Sequence, residues 1–123
     1  MDSEIKSHKD LTVWQKSVDL VERIYRLTEN FPQREVYALA SQMRRAAVSI
    51  PSNIAEGRSR GTRKDFTHFL RITFGSASEL ETQLIIAKRL SVSKIADFEG
   101  TEALLFEVSK MLHVMIKKLE AKS

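Results

Sequence analysis

An all-α fold, an antiparallel up-down four-helix bundle in a single domain, is what this sequence predicts. Three observations lead there. Apolar residues recur at three- and four-residue steps along four segments, only four glycines and two prolines interrupt 123 residues, and short connections join the segments. A chain of this length holds one core. Its 42% hydrophobic and 29% charged residues suit a globular domain better than a disordered chain or a membrane span. Residues 1–11 read as a polar tail, residues 12–120 as the bundle and residues 121–123 as a carboxy-terminal tail. The opening MDSEIKSHKD lacks the apolar run of a signal peptide or transmembrane helix, so a cytoplasmic location with no membrane contact is expected.

The first helix is predicted to start at Thr12, because Thr12 and Gln15 have the spacing of a capping box. Trp14, Val18, Val21, Tyr25 and Thr28 form its inner stripe, while Val13, Leu20, Ile24 and Leu27 point to nearly the opposite side. It ends near Asn30, before the turn at Phe31-Pro32. The second helix runs from about Glu35 to Glu56 with Val36, Leu39, Met43, Ala46, Ala47, Ile50 and Ile54 inward and Gly57 as the carboxy-terminal cap. Pro51 lies inside it and cannot donate to the Ala47 carbonyl, which predicts a kink near Pro51, the less favoured alternative being two separate helices. Asn53 falls on the inward side and is expected to be a structural polar anchor.

The third helix has Thr62 as amino-terminal cap and Asp65 in its first turn, where a carboxylate favours the positive end of the helix dipole. Its inward stripe is Phe66, Leu70, Thr73, Ala77, Leu80, Leu84 and Ala87, the four-three alternation of helices packed at small crossing angles. Ile72, Ile86 and Leu90 lie on its far side. The fourth helix, from about Asp97 to Glu120, turns Leu104, Leu105, Val108, Met111, Leu112, Met115 and Leu119 inward. Connections at Phe31 to Arg34, Arg58 to Gly61 and about Ser91 to Ala96 are short enough to force neighbouring helices antiparallel.

Catalytic chemistry finds little support. With no cysteine there is no disulfide, thiolate metal site or cysteine nucleophile. A bundle-core di-metal site needs glutamates on facing helices and paired Glu-x-x-His motifs. Here His8 is in the tail and His68 and His113 fall outward, with Asp65 to His68 a single imitation of the motif. No metal and no cofactor are therefore expected. Gly57 to Gly61 does not match a phosphate-binding loop, and no serine has the elbow context of a nucleophile. Glu79 and Glu81, two apart on one helix, diverge and make no acid-base pair.

Charge is the informative feature. The net charge is +4 and the pI near 9.5, which tilts the expected partner toward polyanions. Between Arg44 and Arg71 stand Arg44, Arg45, Arg58, Arg60, Arg63, Lys64 and Arg71 against Glu56 and Asp65. The cluster includes the loop entering helix 3, where unpaired backbone donors also favour an anion. A phosphate backbone suits it, and a solvated basic turn is the plain alternative.

RRAAVSIPSNIAEG from Arg44 to Gly57, FLRITFGSASELETQL from Phe69 to Leu84 and the opening DLTVWQKS from Asp10 to Ser17 resemble the four-helix-bundle family encoded in intervening sequences of bacterial 23S ribosomal RNA genes. SVSKIADF after Leu90 departs from relatives that often carry a glycine there. The resemblance implies the fold reached from periodicity and a homopentameric ring. The related accessory variability determinant of diversity-generating retroelements is a basic bundle that associates with nucleic acid and a reverse transcriptase, so a reverse transcriptase or another protein is a further implied partner. The second apolar stripes favour self-association independently, with Leu20, Leu27, Ile72 and Ile86 as interface residues. The expected function is non-enzymatic: a homo-oligomer, pentameric by resemblance, that binds nucleic acid, RNA in preference to DNA, through Arg44, Arg45, Arg58, Arg60, Arg63 and Lys64. The alternative is a protein-interaction scaffold without direct nucleic-acid binding.

Overall fold

A computed structural model describes residues 7–122, with backbone only for residues 33–36. Ser7 caps a short 3-10 turn, His8–Asp10, and four helices follow: α1 (Thr12–Glu29), α2 (Gln33–Ser59), α3 (Arg63–Arg89) and α4 (Ile95–Ala121). Each helix packs on its chain neighbours and α4 returns to α1, which encloses a single core. Polar contacts set the directions. Arg71 pairs with Glu120 and Lys88 with Glu102, so rising numbers on α3 meet falling numbers on α4. Lys16 pairs with Glu107 and the Arg23 guanidinium lies over Gly100, which sets α1 and α4 in opposite directions too. No helix among the described residues is long and apolar enough to cross a membrane.

The predicted capping box at Thr12 and Gln15 is not formed. Ser7 and Asp10 make it instead, closing the short turn, and Leu11 precedes α1 without a side-chain cap. Gln15 donates to the Lys9 carbonyl at 2.9 Å and His8 packs edge-on against Trp14, so the turn is tied to α1 and Leu11 rests on the core.

The inward face of α1 is rotated about 100° from the one predicted, so that Thr28 alone of the predicted stripe is buried. Val13, Ser17, Leu20, Ile24, Leu27 and Thr28 are buried, whereas Trp14 and Val21 sit at the margin and Tyr25 is exposed. Ser17 interrupts the apolar count of the true core stripe and satisfies its hydroxyl on the Trp14 carbonyl at 2.8 Å. Leu20 at 0% and Leu27 at 6% exposure belong to the protomer's own core, contrary to the expectation that they join copies. Ile72 and Ile86 are exposed.

α2 continues unbroken through Pro51, which excludes two separate helices, and runs past Gly57 to Ser59. Gly57 is therefore not the cap. A β-carbon there would stand 2.5 Å from Phe69 Cβ, so glycine at this position lets α2 and α3 approach, and the left-handed backbone falls at Gly61 with φ 87°. Met43, Ala46, Ala47, Ile50 and Ile54 are buried as predicted, and the side chain of Val36 lies outside the described residues. Asn53 is half-buried and donates to the Ser49 carbonyl of its own helix at 2.8 Å, an anchor within α2 and not between helices.

α3 follows its predicted stripe closely, with Leu70, Thr73, Ala77, Leu80, Leu84 and Ala87 buried, Phe66 partly so, and Gln83 added. On α4 the buried line is Phe98, Thr101, Leu105, Val108, Leu112 and Ile116, while Leu104, Met111, Met115 and Leu119 flank it. Phe98 and Ile116 extend the line of Leu105, Val108 and Leu112 to either end at three- and four-residue steps. α4 also starts earlier than predicted: Asp97 accepts from the Lys94 backbone and the Ser93 hydroxyl, which caps the helix at Lys94.

Candidate nucleic-acid interface

The six predicted basic residues do not form one patch. Arg44 and Arg45 lie in the first half of α2, and Arg58 follows 13 positions after Arg45, about 20 Å along the helix at 1.5 Å per residue. Arg44 is half-buried and held by α1: its Nε donates to Thr28 Oγ1 at 2.8 Å, an Nη donates to the Tyr25 carbonyl at 3.4 Å, and the guanidinium lies 4.5 Å from the Tyr25 ring centre. Arg45 is exposed beside it.

The second group gathers where α2 gives way to α3. Thr62 Oγ1 accepts the Asp65 backbone N–H at 3.1 Å, which opens α3 and places Arg63 and Lys64 in its exposed first turn. Arg60 turns back on α2, paired with Glu56 at 2.9 Å and stacked over Phe69 at 5.0 Å. Arg58, Thr62, Arg63 and Phe66 line a depression of about 240 Å³ together with Leu119 and Lys122. Lys64, Arg63, Thr67 and His68 line another beside it.

Lys122 is the residue that sequence reasoning missed. It falls in the predicted carboxy-terminal tail, although the antiparallel run of α3 and α4 carries the end of α4 to the start of α3. Glu120, the side-chain carboxylate nearest it in sequence, pairs with Arg71, whose Nε donates to it at 2.7 Å. The end of the bundle thus presents Arg58, Arg63, Lys64 and Lys122, and two of its carboxylates, Glu56 and Glu120, are already paired. Asp65 remains in the first turn of α3 and weakens the pull of the helix dipole on an anion. Such an arrangement can hold phosphate groups by charge. The histidines lie far apart in sequence, His8 against Trp14, His68 beside Phe69 and His113 near Phe74, and among the described residues no three His, Asp or Glu side chains come together as a metal site.

The family described as 23S rRNA-intervening sequence protein matches residues 9–114. The chain belongs to this family. A similar solved structure is that of a protein of unknown function from the S23 ribosomal protein family of Bacteroides thetaiotaomicron. It is 29% identical, covers 86% of this chain and 99% of its own, and superposes with a TM-score of 0.78. No curated protein matches the chain. The match to the 23S rRNA-intervening sequence family takes in α1, α2, α3 and most of α4. Lys122 falls beyond it.

Proposed function

We propose that the protein binds RNA, without catalysing a reaction, as one copy in a homo-oligomer. One observation carries the proposal: Arg58, Arg63 and Lys122 surround a common depression beside the start of α3, with Lys64 exposed next to it. RNA is favoured over specific duplex DNA because the four helices described all pack into one bundle and none stands apart as a recognition helix for a groove. Ile72 and Ile86, each 42% exposed on α3, support contact between copies. A pentameric ring would present the basic end five times, and linked weak sites raise avidity without any new contact.

The test is fluorescence anisotropy with labelled RNA and DNA over a salt series. Wild type is compared with a variant carrying Arg58→Gln, Arg63→Gln, Lys64→Gln and Lys122→Gln, with circular dichroism as the folding control. Counterion release makes the logarithm of affinity fall linearly with the logarithm of salt, by roughly 0.7 per phosphate neutralised on a single strand. The variant is expected to bind more weakly and with a shallower slope. Wild type that binds neither polymer at low salt, or a variant with unchanged affinity and slope, refutes RNA binding through this end. A second reading, a protein-interaction scaffold, then takes its place, favoured by Phe106, Val114 and Ile95 standing exposed on α4.

A further inference from the structure

A groove of about 850 Å³, open to solvent, runs between the last turns of α1 and the first half of α2, with Phe31 and Pro32 in its lining. Its volume falls in the range of small-ligand sites. The α1 wall presents Tyr25, Thr28 and Glu29. The α2 wall presents Tyr37, Ser41, Arg44, Arg45 and Val48. The basic end of the bundle does not use these groups.

Two features set the groove apart from an ordinary solvated surface. Arg44 is fixed before any ligand arrives, because Thr28 Oγ1 accepts its Nε and Tyr25 supports its guanidinium from below. Thr28 is itself buried, and its hydroxyl donates to the Ile24 carbonyl at 2.7 Å, so the arginine rests on an ordered support. Tyr37, by contrast, is 66% exposed and Tyr25 43% exposed. These are the two tyrosines of the chain, and both line this one groove. Among the described residues Arg45 has no ion-pair partner, and Glu29 is the one carboxylate of the lining.

Aromatic rings and guanidinium planes are the surfaces on which unpaired bases stack, and arginines are the groups that hold the phosphates between them. We infer that this groove takes an unpaired nucleotide of a single RNA strand, its base against Tyr37 and the Arg44–Tyr25 stack and its phosphate on Arg45. The inference rests on the RNA-binding function proposed above and adds what the basic end lacks. Charge alone does not distinguish paired from unpaired RNA, whereas a stacking groove takes only a base that is free to leave its helix. The groove and the basic end are separated along α2, so one strand contacting both lies lengthwise on this helix.

Tyr37→Ala isolates the groove, since the side chain is mostly exposed and its loss removes no charge. Binding is measured by anisotropy with a single-stranded 12-mer RNA, the same strand in a full duplex, and a 12-mer with abasic sites, using wild type, Tyr37→Ala and Tyr37→Phe. Tyr37→Ala is expected to weaken the unpaired strand about tenfold, the loss of one stacked base. The salt slope and duplex binding stay unchanged, Tyr37→Phe binds as wild type, and the abasic strand shows no difference between variants. Equal binding of the unpaired strand by wild type and Tyr37→Ala overturns the groove assignment while leaving the basic end intact. Wild type that binds none of these RNAs overturns both. A glutamate-rich peptide that binds in a Tyr37-dependent way while RNA does not would reassign the groove to a protein partner.

Discussion

Gly57 on α2 and Phe69 on α3 stand so close that a β-carbon on the glycine would lie 2.5 Å from Phe69 Cβ and 3.3 Å from Phe66 Cδ1. Non-bonded carbons prefer about 3.5 to 4.0 Å. Gly57→Ala must push the helices apart or move Phe69, and should destabilise by about 1 to 3 kcal/mol. Gly75, mid-helix on α3, has nothing within 4 Å of such a carbon, and Gly75→Ala should stabilise by up to about 1 kcal/mol through helix propensity. Urea denaturation of the two variants should therefore shift in opposite directions. A shift in the same direction would show that the α2–α3 approach has room to relax.

Leu20→Glu and Ile86→Glu should fail in different ways. Leu20 is fully buried in the protomer, and an unpaired charge there costs enough to unfold a domain of marginal stability. Ile86 is exposed on α3, so its variant should keep wild-type helicity and, if this face joins copies, lower the mass seen by light scattering. A folded Leu20→Glu protein would contradict the inward face assigned to α1.

Thr28 and Arg44 should couple energetically. Thr28→Val keeps the side chain's shape but removes the acceptor that Arg44 Nε meets at 2.8 Å, at an expected cost of about 1 to 2 kcal/mol. In a double-mutant cycle with Arg44→Met, the coupling should reach about 0.5 to 2 kcal/mol. Additive losses would mean that the arginine is not held by this hydroxyl.

Asn53→Ala should be mild, about 0.5 to 1 kcal/mol, because the amide is half-buried and bonds only within its own helix. Pro51→Ala should leave circular dichroism unchanged, since α2 is already continuous through this position. A loss above about 3 kcal/mol for Asn53→Ala would signal a partner in another helix.

Among the basic residues, Lys122→Gln should lower the salt slope of RNA binding by about one phosphate, roughly 0.7, and Arg60→Gln by less. Arg60 is paired with Glu56 while Lys122 lines the depression with Arg58 and Arg63. Equal effects in the anisotropy series would show that the ion pair does not withhold Arg60 from a ligand.

The sequence alone determined the helical class, the number of helices, the inward stripe of α3 and the cap at Thr62. These depend on period, breaker residues and side-chain to backbone bonds a few positions apart, all of which are local. It also held the family, since RRAAVSIPSNIAEG and its companions are stretches of contiguous chain. The face of α1 was not legible, because that helix is apolar on two sides and Ser17 hides the true stripe. Only contact with α2 and α4 chooses between them. Whether Gly57 or Gly61 serves the turn was likewise settled by the approach of Phe69 across helices. The candidate site shows the same division. The spacing of Arg44 and Arg45 from Arg58 and the four-residue step from Glu56 to Arg60 are local, set by α2 and its end at 1.5 Å per residue. The arrival of Lys122 beside Arg63 brings the end of α4 to the start of α3, and only the tertiary structure decided it, because charge acts through space and not along the chain.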